Sequence, residues 1–268
     1  MLKRTRIFDL ELINDNSFDA VLNSMLHFHE EFPQSENKLP LLFTPNVDDV
    51  VKLNQKKYAD VAKRLQQSYY ILPDGQPIIW ASKILNKTLV KRLPGSELFP
   101  LLWKLLTQHN KRILLVAPSE KVGQMLKQEY PTLEYYVPPF FEAEDTVALQ
   151  KITSDLLMLC NTFKPEYIFI GIRFPKQNYI AFELLDNLQK QGYSKSEMPL
   201  CLLLGASYEF YLDIKKRAPA IWQKTGMEWF YRFTQEPGRL FKRYFIDDMQ
   251  FVSIFMKEYF KKNPSKCF

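Results

Sequence analysis

Short apolar runs alternate with longer amphipathic stretches between residues 38 and 205. The apolar or β-prone runs are bounded by turn residues and span 41–43, 69–72, 113–117, 133–137, 167–171 and 200–204. Stretches of helical periodicity lie between them, for example 47–67, 142–163 and 177–191. Short apolar runs are typical of strands buried on both faces, and the helices between them supply crossover connections. The pattern predicts an α/β fold, a mostly parallel sheet with helices on both faces.

The pattern changes after Leu212. No further strand is evident, and prolines and a glycine divide the rest of the chain into helical pieces. From Leu240 onward, apolar and basic residues recur at helical spacing. We therefore expect an α/β domain at residues 1–212 and a basic, aromatic-rich helical appendage at 213–268.

Charge separates these two segments. Residues 211–268 contain 12 Lys and Arg against 6 Asp and Glu, so they carry the whole net charge of +6. A basic helix rich in Phe and Tyr suits a membrane surface with anionic lipids, but a helix docked on its own core has the same periodicity. Both interpretations stay open. Nucleic acid is not an expected partner, because the surplus is modest and no nucleic-acid motif occurs.

Composition excludes several classes of protein. The 268 residues include only 8 glycines and neither a G-x-G-x-x-G nor a P-loop motif, which removes the usual signatures of glycine-looped nucleotide binding. The 3 cysteines lie far apart, which is typical of a reducing compartment and predicts neither disulfides nor a zinc site. No apolar run approaches the roughly 20 residues of a spanning helix. We expect a cytoplasmic protein, peripheral to any membrane it meets.

Polar residues follow three of the predicted strands. Thr44 and Asn46 follow the first, Asp74 follows the second, and Arg173 and Gln177 follow the fifth. In open α/β sheets, ligands bind beyond the carboxyl ends of strands, so these side chains are candidates for one crevice. Asp74 is the candidate general base, although Pro-Asp-Gly is also a common turn sequence. Thr44 and Asn46 suit substrate hydroxyls, and equally suit capping of the next helix.

Arginines are the candidates for an anion site. Arg92 precedes a Pro-Gly turn and a helix predicted to begin near Ser96, which could present a guanidinium and free amides to an anion or be only a solvated turn. No D-x-D motif is present to hold a metal-bound diphosphate, so arginines would have to neutralise one. The basic appendage supplies Arg217, Arg232, Arg239 and Arg243.

Several motifs occur together and in order. They are Thr44-Pro45-Asn46, Asp74-Gly75, RLPGSEL at 92–98, Pro175-Lys176-Gln177, GASYEF at 205–210 and the run GMEWFYR to PGRLFKRY at 226–244. On these motifs the chain resembles the WecG/TagA/CpsF family of bacterial glycosyltransferases. The resemblance extends from about Leu41 to Tyr244.

The resemblance implies a Rossmann-like catalytic domain and a C-terminal appendage that meets the membrane and completes the active site. It implies inverting, metal-independent transfer of a hexose-type sugar from a UDP-sugar to an undecaprenyl-diphosphate-linked saccharide, in cell-surface polysaccharide biosynthesis. The location implied is the inner face of the cytoplasmic membrane. No cofactor is implied beyond the donor substrate, and a homo-oligomer is left open.

The resemblance also implies roles for residues. Asp74 matches the proposed base, and Thr44, Asn46 and Gln177 match positions of the substrate pocket. Arg92 matches an arginine near that pocket. Appendage arginines such as Arg232 and Arg239 match residues that hold the leaving diphosphate.

Two residues depart from the family pattern beside the predicted sugar pocket. Arg173 stands where a small residue is expected, and Asn178 stands where an acid usually follows the Gln. The charge of Arg173 suggests a uronic-acid donor. A rival hypothesis is a catalytically silent protein of the same fold that binds a lipid-linked sugar or a partner enzyme. The joint presence of Asp74, Thr44 and Gln177 argues against it.

Overall fold

A six-stranded parallel sheet forms the centre of the protein. The computed structural model describes residues 2–215, 219, 222, 228–235, 238 and 249–262. The sheet strands are β3 (Leu39–Phe43), β4 (Ser68–Ile71), β5 (Ile113–Val116), β6 (Glu134–Tyr136), β7 (Tyr167–Ile170) and β8 (Leu200–Leu203). Their order is β4-β3-β8-β7-β5-β6, and every pairing is parallel. All six predicted strands are therefore confirmed, and so is the α/β class.

An antiparallel hairpin precedes the sheet and was not predicted. Strands β1 (Arg4–Ile7) and β2 (Leu10–Ile13) pair across Phe8 and Asp9, whose φ angles are 51° and 58°. Two consecutive positive φ values are typical of a type I′ turn, which Asn-Gly usually forms. Because Phe-Asp carries no such signature, the sequence pattern did not reveal the hairpin.

Helices cover both faces of the sheet. They are α1 (Asp19–Leu26), α2 (Phe28–Glu31), α3 (Val47–Leu53), α4 (Ala59–Leu65), α5 (Gln76–Ile84), α6 (Gly95–Gln108), α7 (Glu120–Glu129), α8 (Thr146–Phe163), α9 (Lys176–Lys190) and α10 (Ser207–Tyr211). Strands β5, β7 and β8 are buried along their whole length, as expected for a sheet enclosed on two sides.

Two predicted helices differ from the observed ones at their boundaries. The stretch 47–67 is divided into α3 and α4, because Gln55 adopts an extended conformation (φ −85°, ψ 138°). Helix α8 begins at Thr146 rather than near 142. At this start the Asp145 carboxylate accepts a hydrogen bond from the Ala148 N–H at 2.9 Å. That bond satisfies one of the N–H groups which a helix start leaves without an intrahelical partner.

Two helices are described beyond residue 215. Helix α11 spans Glu228–Gln235 and α12 spans Gln250–Lys262, whereas the first part of the helical pattern predicted from Leu240 lies outside the described residues. One face of α12 is docked on the α/β domain. The Phe251 ring meets Phe8 edge-on at 5.2 Å, and Glu258 forms a 2.7 Å ion pair with Lys87. The opposite face exposes Met249, Val252 and Met256.

Helix α7 packs so closely against β6 that position 123 should require glycine. A Cβ atom at Gly123 would lie 2.6 Å from Cε2 and 2.8 Å from Cγ of Tyr135. We expect Gly123→Ala to lower the free energy of unfolding by about 1 kcal/mol, because overpacking outweighs the gain in helix propensity. Urea unfolding followed by circular dichroism measures the change.

The same substitution should have the opposite sign once the ring is removed. In a Tyr135→Ala background, Gly123→Ala should raise the free energy of unfolding by about 0.5–1 kcal/mol, since only the helix propensity then changes. An equal effect in both backgrounds would rule out the steric explanation.

Candidate functional site

The carboxyl ends of β3, β4 and β8 form one continuous edge. Strand β3 lies between β4 and β8, so the turns that follow these strands are neighbours. Strand β3 leads into α3 on the way to β4, whereas β8 leads into α10, which packs against α6 of the crossover from β4 to β5. Right-handed crossovers that run in opposite directions lie on opposite faces of a sheet, so the chain leaves the neighbouring strands β3 and β8 towards opposite faces. Ligands bind at such a position in open α/β sheets.

Backbone hydrogen bonds join the Asp74 turn to the turn after β3. The Leu72 N–H donates to the Phe43 carbonyl and the Asp74 N–H donates to the Pro45 carbonyl, both at 3.0 Å. These bonds continue the β3–β4 pairing past the end of the strands. Asp74 is thereby fixed beside the segment that contains Thr44 and Asn46.

Gly75 lets the chain turn from Asp74 into α5. Its φ of +115° and ψ of 127° lie in a region that essentially only glycine adopts. A Cβ atom at Gly75 would have 3.8 Å of clearance from Asn46, so conformation rather than space requires glycine here. The Asp74-Gly75 pair is therefore a structural unit at this edge.

Asn46 is a helix cap. Its side-chain oxygen accepts from the Asp49 N–H at 3.3 Å, and the Asp49 carboxylate accepts from the Asn46 N–H at 3.0 Å. This reciprocal capping box begins α3. Capping uses the Asn46 carboxamide oxygen, so its nitrogen is the group that could donate to a ligand.

The N-terminus of α6 packs against the residues that follow the carboxyl ends of β3 and β8. A Cβ atom at Gly95 would be 3.0 Å from Leu204 Cδ2, 3.1 Å from Thr44 Oγ1 and 3.3 Å from Ser207 Oγ. The helix was predicted to begin near Ser96 and begins at Gly95, with no side-chain cap. Its first-turn N–H groups and the positive end of its dipole are therefore at the same edge as Thr44.

Arg92 lies near the Asp74 turn because the next residue, Leu93, is hydrogen-bonded to that turn. The Leu93 N–H donates to the Pro73 carbonyl at 2.7 Å. The Arg92 guanidinium pairs with Glu97 at 3.1 Å, and only 17% of its side chain is exposed. The fold thus assembles Thr44, Asn46, Asp74 and Arg92 at neighbouring turns.

Arg173 and Gln177 follow β7, which lies two strands away from β3. At about 4.8 Å per strand, this separation is about 10 Å along the edge. Arg173 is exposed, whereas Gln177 is buried in the first turn of α9. They border the same edge as Asp74.

Three buried side chains near the ends of β7 and β8 have polar atoms without partners among the described residues. They are the Gln177 side-chain oxygen, both polar atoms of Asn178 and the Tyr208 hydroxyl. Burial raises the pKa of Tyr208 well above its ordinary value, so this hydroxyl stays protonated. An unsatisfied buried polar group costs about 1–3 kcal/mol, so this cluster is where a polar ligand or ordered water would be stabilising. Sequence patterns singled out Gln177 and Asn178 but not Tyr208, because burial depends on the tertiary structure.

The four predicted diphosphate-binding arginines lie wholly or partly outside the described residues. Arg217, Arg239 and Arg243 lie outside the described residues, and Arg232 belongs to α11 with its side chain outside them. Their proposed role therefore stays a prediction.

Two further features concern metals and membranes. In the ranges that the structure describes, no three His, Cys, Asp or Glu side chains are grouped so that they could hold a metal ion. Over those same ranges, every helix is too short or too polar to span a bilayer.

Comparison with known proteins gives two kinds of match. The model of the Glycosyl transferase WecG/TagA/CpsF family matches residues 5–265. An N-acetylglucosaminyldiphosphoundecaprenol N-acetyl-beta-D-mannosaminyltransferase of Staphylococcus aureus strain MRSA252 is 32% identical over 173 residues, which is 63% of this chain and 62% of the relative. The protein of the same name from strain MW2 is 29% identical over 181 residues, or 66% of this chain and 65% of the relative.

The aligned segments thus span less than two thirds of these curated relatives. The family model, in contrast, covers nearly the whole chain and includes all the turns that meet at the sheet edge. The chain belongs to the WecG/TagA/CpsF family of glycosyl transferases.

Proposed function

We propose that the protein is an inverting glycosyltransferase that moves a hexose-type sugar from a UDP-sugar to an undecaprenyl-diphosphate-linked saccharide. The observation that carries this proposal is the 3.0 Å backbone bond from Asp74 to Pro45, which holds Asp74 beside the polar residues that follow β3, at the edge formed by the carboxyl ends of β3, β4 and β8. Family membership supports the reaction class. The names of the two relatives, which specify an undecaprenol-diphosphate acceptor, support the acceptor class.

Asp74 would act as the general base. As its carboxylate takes the proton of the acceptor hydroxyl, the hydroxyl oxygen attacks the anomeric carbon of the donor. The bond from that carbon to the diphosphate oxygen breaks, UDP leaves with the electron pair, and the configuration inverts. The proton remains on Asp74 until solvent removes it.

Positive groups would stabilise the departing diphosphate without a metal. Arg92 and the N-terminus of α6 both adjoin the Asp74 turn, and helix N-termini favour anions. Arg217, Arg232, Arg239 and Arg243 of the appendage would complete the set. Preorganised guanidinium groups lower the energy of a transition state in which negative charge develops.

The neighbouring polar groups would position the sugars. The Asn46 nitrogen and Thr44 hydroxyl are at the ends of the central strands, and Gln177 has a buried oxygen without a described partner. These groups suit sugar hydroxyls. Arg173 is exposed beside them and would favour a donor that carries a carboxylate.

The outer face of α12 would contact the inner face of the cytoplasmic membrane. Met249, Val252 and Met256 are exposed there, and Lys257 and Lys261 are exposed on the same helix. Apolar side chains at the lipid boundary with flanking lysines match interfacial binding to anionic lipid. The enzyme would thereby meet its lipid-linked acceptor.

Replacement of Asp74 tests the mechanism. Asp74→Asn should reduce UDP release in the presence of a lipid-diphosphate acceptor by about 10²- to 10⁴-fold, because the amide cannot accept the proton. Asp60→Asn, at an exposed position in the first turn of α4, is the matched control and should retain activity. Unfolding curves for both variants exclude a folding defect. If Asp74→Asn keeps activity within a few fold of wild type, Asp74 is not the general base. If the wild-type protein turns over no donor, the rival hypothesis of a catalytically silent binding protein is favoured.

Arg173 provides a test of donor choice. The wild-type protein should hydrolyse UDP-glucuronate faster than neutral UDP-hexoses, and Arg173→Gln should remove that preference. Release of UDP measures both rates. A wild-type preference for neutral donors would contradict the assignment.

Membrane binding is tested on the exposed face of α12. Val252→Glu with Met256→Glu should weaken binding to vesicles containing anionic lipid at least tenfold, because two apolar contacts are lost and two negative charges are added. Val147→Glu, at an exposed apolar position on α8, serves as the control. Co-sedimentation measures the bound fraction, and equal binding by wild type and the double variant would argue against this surface.

A further inference from the structure

Phe140 is an exposed aromatic side chain at the sheet edge. It lies in the loop 137–142 after β6, and 86% of its surface is accessible, more than for any other exposed large apolar residue in the described ranges. Phe is among the residues most often buried. A side chain this exposed is therefore unusual.

The loop holds Phe140 in place. Pro138 and Pro139 precede it and fix two successive φ angles, and Phe141 is buried with 5% of its surface accessible. The Lys176 ammonium donates a hydrogen bond to the Phe141 carbonyl. It also lies 4.6 Å from the Phe140 ring centroid and 5.0 Å from that of Phe141. Binding to a ring held this way costs little conformational entropy.

Lys176 connects this loop to the candidate site. It is the first residue of α9 and directly precedes Gln177. Strand β6 is two strands from β7 on the side away from β3, but the Lys176 ammonium contacts the Phe140 ring, so the ring lies near the start of α9 rather than at the far end of the edge. A substrate that reaches from Asp74 past Gln177 to this ring must be elongated, as a nucleotide sugar is.

We propose that Phe140 stacks on the uracil base of the donor, with Lys176 as the residue that positions the ring. This inference rests on the proposed function, because it assumes a UDP-sugar. Lys176 lies against the Phe140 ring, and the exposed part of the ring is free to receive a planar base. Stacking of a base on an aromatic ring needs no charge, because every base has a π-face.

The charges around the loop argue against a membrane as the occupant. Glu144 and Asp145 follow Phe140 closely, and so does Glu142, whose side chain is 70% exposed and whose carboxylate lies 3.9 Å from the Lys176 ammonium. An anionic lipid surface would repel these carboxylates. A neutral uracil would not be repelled.

Calorimetric titration of the full chain with UDP and with inorganic pyrophosphate tests the stack. Phe140→Ala should raise the Kd for UDP about tenfold, which corresponds to about 1.4 kcal/mol, and leave pyrophosphate binding unchanged. Phe140→Trp should restore UDP affinity because the indole also stacks, and should add a tryptophan whose fluorescence UDP quenches. Val147→Ala, which removes another exposed apolar side chain, should behave as wild type. Lys176→Met should weaken UDP binding through the loss of positioning.

Three results would overturn the proposal in distinguishable ways. If wild type and Phe140→Ala bind UDP equally, the stack is absent although the proposed function survives. If Phe140→Ala loses vesicle binding and keeps its UDP affinity, the ring belongs to a membrane surface. If wild type binds no UDP and releases none from any donor, the stack and the proposed function fail together.

Discussion

The parallel direction of all six sheet strands is the constraint on which the rest of the structure depends. It brings every strand's carboxyl end to one edge, where the chain must turn before entering the next helix. The N–H and C=O groups of those turns have to be paired at this edge, because buried backbone groups without partners are costly. The bonds from Leu72 to Phe43 and from Asp74 to Pro45 are the result. The same bonds that complete the sheet therefore position the candidate base.

Several features that a protein core normally avoids lie at this edge. Gly75 adopts a backbone conformation closed to other residues, and Gln177, Asn178 and Tyr208 bury polar atoms without partners among the described residues. Strain and unsatisfied polar groups that cluster in one place reduce stability there. Gln177 and Asn178 lie at the same edge as Thr44 and Asp74, about 10 Å along it, where a polar ligand would supply the missing hydrogen bonds. Elsewhere in the sheet, β5, β7 and β8 are apolar and fully buried.

Two of the exposed apolar sites, on α12 and at Phe140, differ in their chemical setting. On α12, Met249, Val252 and Met256 accompany lysines, and the other face of the helix is docked through Phe251 and Glu258. Phe140, in contrast, is a single exposed ring that Lys176 contacts and that acidic residues follow. A broad apolar face with cations suits lipid, whereas one fixed ring suits a planar ligand. One face of α12 is docked on the α/β domain and the other is exposed. The helix can therefore pack on its own core and still present a surface to a membrane, so these two interpretations of its periodicity are compatible.

The sequence by itself determined the fold class, the six sheet strands and the turns that carry Thr44, Asn46, Asp74 and Gln177. These features depend on local periodicity and turn chemistry, which are written in consecutive residues. Only the structure decided that Asn46 caps α3, that the α6 N-terminus packs against Thr44, that Asn178 and Tyr208 are buried without partners among the described residues, and that Phe140 is exposed beside Lys176. The β1–β2 hairpin also appeared only there, because its turn lacks glycine and asparagine. Burial, exposure and the packing of the α6 N-terminus are set by segments distant in the chain, so no local pattern encodes them; the Asn46 cap and the β1–β2 turn are local, but their residues are compatible with more than one structure.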